Sequence, residues 1–178
     1  MPLENDLNKV LVLGSGPNIV GSVAEMDAYT NSAIKAFLED DIHVVLVNPN
    51  PATVSSDRQK GVTVYLEPMT LAFMKRILRM EEPDAIVTAY GSTNALAVAK
   101  ELLDDGIIDD MKIKLLTTNN ELLNLVDHKK QIAFMQKNNF ATCESWHLVK
   151  TDTNESITDL LSHARFPLLV TKLSLIHI

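Results

Sequence analysis

The sequence predicts an α/β protein, a Rossmann-like parallel sheet followed by the start of a second, α+β unit. Three observations carry this. Short apolar or β-branched runs alternate with amphipathic stretches from Lys9 to about Val126, the rhythm of parallel strands joined by crossover helices. A glycine-rich turn directly follows the first run, where such sheets place their ligand loops. After Val126 the rhythm changes, with polar turns between short helical and strand-like pieces.

Val10 to Leu13, His43 to Val47, Val62 to Leu66, Ala85 to Ala89 and Ile113 to Leu116 are the expected strands, each a short run suited to burial on both faces. Thr30 to Glu39, Thr70 to Met80, Thr93 to Asp104 and Glu121 to Val126 space their apolar residues by three and four and are expected to be the covering helices. Beyond them, Lys129 to Lys137 reads as a helix ending at the polar turn Lys137, Asn138, Asn139. Ser145 to Val149 reads as a strand, Glu155 to Ala164 as a helix capped from Thr151 to Asn154, and Leu168 to Val170 as a further strand. The expected division is a first domain over 1–126 and an incomplete second unit over 127–172, too short to cover both faces of a new sheet. Residues 173–178 (LSLIHI) match one reading frame of a transposon-end adapter used in sequencing libraries and are expected to be non-native.

Composition narrows the function. The 178 residues are 46% hydrophobic and 22% charged, which describes a chain with a substantial core. Asp and Glu number 23 against 16 Lys and Arg, a net charge of −7 without a basic stripe, so nucleic-acid binding is not expected. No apolar run approaches the roughly eighteen residues of a membrane helix. With a polar start from Met1 to Asn8 and Cys143 as the single cysteine, a cytoplasmic protein is expected, not bound to a membrane.

The strongest local signal is Gly14, Ser15, Gly16, Pro17 after the first strand. Glycines there permit positive φ and close approach of a ligand to backbone N–H groups. The next glycine, Gly21, lies five residues past Gly16, whereas the dinucleotide fingerprint places it three residues on. A phosphate loop and a plain strand-to-loop turn both remain open from spacing. At the end of the second strand, Asn48 stands where a dehydrogenase carries an acidic ribose ligand. The turn Asn48, Pro49, Asn50, Pro51, Ala52, Thr53 is expected to be rigid, its side-chain amides bonding neighbouring backbone. Glu25 and Asp27 suit helix capping or an interface, with cation binding or acid and base chemistry as the alternative. The five histidines show no zinc spacing, and neither a metal site nor a nucleophilic triad is implied.

These motifs taken together, KVLVLGSGPNIVGSVAEMD, VVLVNPNPATVSSD, YLEPMT and EEPDAIV, resemble in order and spacing the start of the large subunit of carbamoyl-phosphate synthetase. The resemblance runs over about residues 9–172. It implies a pre-ATP-grasp domain serving as scaffold and interface, with Gly14, Gly16, Glu25, Asp27, Asn48, Asn50 and Thr53 as its structural motif, followed by the start of an ATP-grasp domain. For the parent protein it implies an ATP-dependent ligase making carbamoyl phosphate from bicarbonate, ammonia and two ATP, in pyrimidine and arginine biosynthesis. The implied partner is a small glutamine amidotransferase subunit, and the implied cofactors are ATP with Mg or Mn, whose ligands lie beyond this chain. Lys129 and Lys172 match the family's basic ATP contacts, Lys172 one residue later than the family position, which falls on Thr171. The family's Ile-Gly-Gln reads Val20, Gly21, Ser22, its Gly-Gly-Gln reads Gly91, Ser92, Thr93, and a usual glycine is Thr117, so a divergent member is implied. The chain alone is expected to be inactive. Alternatives are part of a stand-alone ATP-grasp ligase joining a carboxylate to an amine, a non-catalytic Rossmann-like interaction module and, more distantly, a nicotinamide oxidoreductase.

Overall fold

Five apolar runs assemble side by side into one all-parallel sheet in a computed structural model that describes residues 7–16, 23–88, 90, 93–116, 123–146 and 153–164. The strands are β1 (Lys9–Leu13), β2 (His43–Val47), β3 (Val62–Tyr65), β4 (Ala85–Val87) and β5 (Lys114–Leu115), in the order β3-β2-β1-β4-β5. Register is set by pairs such as Leu13 with Val47, Val12 with Val87 and Val47 with Tyr65. The helices are α1 (Val23–Glu39), α2 (Leu71–Glu81), α3 (Thr93–Asp104) and the single turn α4 (Ile107–Asp110), with 3-10 turns at Val54–Ser56 and Asn124–Val126.

The alternation of side chains along β1 divides the core in two. Leu11 and Leu13 pack with Met74, Ile77 and Leu78 of α2 and with Ala95, Val98 and Leu102 of α3. Val10 and Val12 pack on the other face with Ile34 of α1. Helices therefore cover both faces, the reason the central strands read as continuous apolar runs. β1 and β4 are neighbours whose following helices leave to opposite sides, which makes their carboxyl edge the switch point of the sheet.

The structure moves several expected boundaries. α1 begins at Val23, seven residues before the expected Thr30, because two of its buried positions, Asp27 and Thr30, are polar and hide the first half of the helix from hydrophobic periodicity. β4 stops at Val87, with Thr88 outside the strand, and β5 has two residues where four were expected, since it pairs only with β4. β3 ends at Tyr65, leaving Leu66 53% exposed. Of the helix expected over Glu121 to Val126, Asn124–Val126 form a 3-10 turn, and Glu121 and Leu122 lie outside the described residues.

The chain divides into two compact units, Met1–Val126 and Asp127–Ile178. In the second, α5 (His128–Lys137) is capped by the Asp127 carboxylate, which accepts from the Lys129 and Lys130 backbone N–H groups at 2.8 and 3.3 Å. α6 (Asn154–His163) is capped by the Thr153 hydroxyl, which accepts from the Ser156 N–H at 3.3 Å. No residue of α5 is buried. Ser145 and Trp146, expected to open a strand, are exposed and irregular; β propensity is realised only against a neighbouring strand. The remainder of that strand, the expected strand Leu168 to Val170 and residues 173–178 lie outside the described residues.

Candidate functional site

The predicted motif residues converge at the carboxyl edge of β1 and β2. The Gly14 N–H donates to the Val47 carbonyl at 2.9 Å, extending the β1–β2 ladder by one residue, and the Asn48 N–H donates to the Tyr65 carbonyl at 3.0 Å. Alternation places Gly14 and Asn48 on the α1 face, beyond Val12 and Leu46. A Cβ on Gly14 would come within 2.9 Å of both Cβ and Cγ of Asn48. Gly14 is thus small because the chain's own asparagine occupies the space. Gly16 serves a different need, holding a φ of +79° that side chains disfavour.

Asn48 is fully buried and turned into its own loop. Its Oδ1 accepts from the Asn50 N–H at 3.2 Å, and its Nδ2 donates to the Thr53 hydroxyl at 3.0 Å. Thr53 in turn donates to the Asn50 carbonyl at 3.1 Å, and Asn50 Oδ1 accepts from the Ala52 N–H at 3.0 Å. The Thr53 hydroxyl is therefore engaged and does not cap the 3-10 turn that follows it. Asp27, reaching across from α1, supplies that cap. Its carboxylate accepts from the Val54 N–H at 2.8 Å, the Ser55 N–H at 3.2 Å and the Ser55 hydroxyl at 2.5 Å. Ser55, fully buried, was not singled out as a site residue in the sequence; its only signal there is its place two residues after Thr53.

Glu25 does not join this cluster. Two residues on a helix subtend about 200°, and Glu25 is exposed, accepting from the Tyr29 hydroxyl at 2.8 Å. That hydrogen bond holds the Tyr29 phenol above its ordinary pKa. Glu25 and Asp27 thus point to different sides, which removes the shared cation or acid and base arrangement. Among the described residues no three His, Cys, Asp or Glu side chains group as metal ligands, and no helix is long and apolar enough to cross a membrane. Lys129 is exposed in the first turn of α5, while Lys172 lies outside the described residues, as do Pro17 to Ser22.

A doubly wound parallel sheet whose β1–β2 edge is closed, among the described residues, by its own side chains defines a Rossmann-like domain. Residues 6–125 match the carbamoyl phosphate synthase preATP-grasp domain, and the chain belongs to that family. It is 43% identical over 121 residues to the carbamoyl phosphate synthase large chains of Clostridium perfringens strains SM101 and 13, covering 68% of this chain. The chain spans 11% of the length of these curated relatives. Among solved structures it is similar to the Bordetella bronchiseptica enzyme WbmG in complex with NAD and UDP, at 9% identity and a TM-score of 0.43 over 60% of this chain and 35% of that one.

Proposed function

We propose that this chain is the amino-terminal part of a carbamoyl-phosphate synthase large subunit. In this reading its first unit acts as scaffold and interface, and the ATP-grasp domain begins at Asp127. The observation that carries the scaffold role is the closed polar edge. Asn48, Asn50, Thr53 and Asp27 bond to one another's loop and to the local backbone, which turns these side chains inward. The parent protein would make carbamoyl phosphate from bicarbonate, ammonia released by a small amidotransferase subunit, and two ATP, in the cytoplasm. ATP would bind with Mg or Mn, the metal ligands lying beyond this chain. Lys129, exposed on the first turn of α5, would complement triphosphate charge during phosphoryl transfer. Lys172 would be the second such contact. The chain alone would lack a complete active site.

The test is to read the source gene beyond codon 172 and express its full product with an amidotransferase subunit. Bicarbonate-dependent ATP hydrolysis and glutamine-dependent carbamoyl phosphate formation are expected. A full-length product that hydrolyses no ATP in response to bicarbonate overturns the assignment.

A further inference from the structure

β3 is the outermost strand on its side of the sheet and pairs with β2. The Gly61 carbonyl accepts from the Val44 N–H and the Tyr65 carbonyl from the Asn48 N–H, both at 3.0 Å, so the odd-numbered residues turn their amide groups toward β2. In a parallel ladder the alternate residues then point theirs away. Val64 thus presents its N–H and C=O, and Val62 its C=O, along an edge left open among the described residues. The strand reads Val62, Thr63, Val64, Tyr65 in unbroken register, without the lysine, proline or bulge that usually blunts a sheet edge. The outer flank of α2 lies beside it. Lys75 turns the other way, its Nζ 2.7 Å from Asp105 just past α3. Phe73 and Met80 sit about 140–160° round the helix from Lys75, exposed on the flank turned to β3. Tyr65, which packs on the α2 side of the core, reaches Glu81 at 2.6 Å, and the Arg76 charge acts on its hydroxyl.

We infer that the open edge of β3 is a self-association surface, its occupant the β3 of a second copy of this chain, paired antiparallel across a two-fold axis so that two sheets join into one. Charge favours this partner. The approach to the strand is basic, Arg58 and Lys60 outweighing Asp57, and its exit is acidic at Glu67. An antiparallel copy sets each basic end beside the other's acidic end. A two-fold axis normal to the sheet keeps like faces together and makes the contact self-complementary. Centred on Val64, it pairs the outward amide groups of that residue with those of its twin. The same register sets Val62 opposite Leu66 and Thr63 opposite Tyr65, the apolar, β-branched and aromatic pairs that stabilise strand contacts. It also turns the two α2 flanks, with Phe73 and Met80, toward each other. The inference does not depend on the parent protein's reaction.

Sedimentation equilibrium and amide exchange on the full 178-residue chain, each over a range of concentrations, provide the test. A monomer to dimer equilibrium is expected, the Val64 amide exchanging freely when dilute and becoming protected as the dimer forms. Val64→Pro removes the outward donor while sparing the β2–β3 ladder. Losing two hydrogen bonds per dimer should raise the dissociation constant about tenfold or more. Charge reversal tests the same edge without touching the core: Lys60→Glu and Glu67→Lys should each weaken the dimer, and the double variant should restore it. A chain that stays monomeric up to about 1 mM, where even weak specific contacts register, overturns the inference. So does a dimer whose Val64 amide still exchanges freely, or one that the charge reversals leave unchanged, because such a dimer uses another surface.

Discussion

The side chain of Asn48 fills the space that a Cβ on Gly14 would need, at 2.9 Å from where that atom would sit. The first glycine of the loop therefore answers to an internal contact across two strands. Gly14→Ala forces a methyl group against buried, hydrogen-bonded atoms that cannot swing away, so a loss of about 1–3 kcal/mol is expected from overpacking. Urea denaturation measures it, and Asn48→Gly in the same chain should return part of the loss. Additive losses in the double variant would show that the two residues do not conflict.

Asp27 ties α1 to the loop after β2 through three hydrogen bonds on a carboxylate only 7% exposed. Asp27→Ala leaves the Val54 N–H and the buried Ser55 N–H and hydroxyl without this partner. The expected cost is about 2–4 kcal/mol, in the range for losing hydrogen bonds to a charged group. Amide exchange at Val54 and Ser55 should accelerate more than in the strands. Unchanged exchange there would mean that the 3-10 turn is held by something else.

A second polar cluster links β3, α2 and β1. The Tyr65 hydroxyl donates to Glu81 Oε1 at 2.6 Å, while Lys9 Nζ donates to the Glu81 carbonyl at 2.7 Å and lies 3.3 Å from Oε2. The hydrogen bond to Glu81 first, and burial second, push Tyr65 up to about 12 from 10.0. A raised folded pKa means that the contribution to stability is complete below pH 10 and is lost as pH climbs toward 12. Glu81 behaves oppositely. The Tyr65 hydrogen bond, aided by Lys9 and opposed by burial, holds it below 4.5, so its contribution is present above that pH and fades as pH falls through the lowered value. Tyr65→Phe should flatten the alkaline limb of the stability profile relative to the parent chain. Parallel limbs in the two proteins would reject the linkage.

Lys129 separates a functional role from a structural one. Its side chain is exposed and its backbone N–H is bonded by Asp127, so Lys129→Ala should change the stability of this chain by less than about 0.5 kcal/mol. In the full-length product the same change should raise the KM for ATP and lower bicarbonate-dependent ATP hydrolysis. Normal ATP kinetics would return Lys129 to the solvated surface.

The alternation of apolar runs and amphipathic stretches was enough to read five parallel strands and the three long helices that cover them, because each strand must be apolar on both faces to sit between two helix layers. The start of α1 was not legible, since Asp27 and Thr30 are buried for hydrogen bonding and carry no hydrophobic signal. The Asn48 to Thr53 turn was visible as a polar, proline-rich segment. Its engagement with Gly14 and the cap that Asp27 places on Val54 were not, because these contacts join residues 34 and 27 positions apart.

Local chemistry in the chain is therefore sufficient for the fold class, the five strands of the first unit and the glycine turn, since each depends on side-chain type and short-range spacing. Strand order, the closure of the β1–β2 edge, the parting of Glu25 from Asp27 and the place of β3 at the outside of the sheet follow only once the chain is packed. They are set by which residues meet across strands and layers, and sequence spacing does not encode those distances.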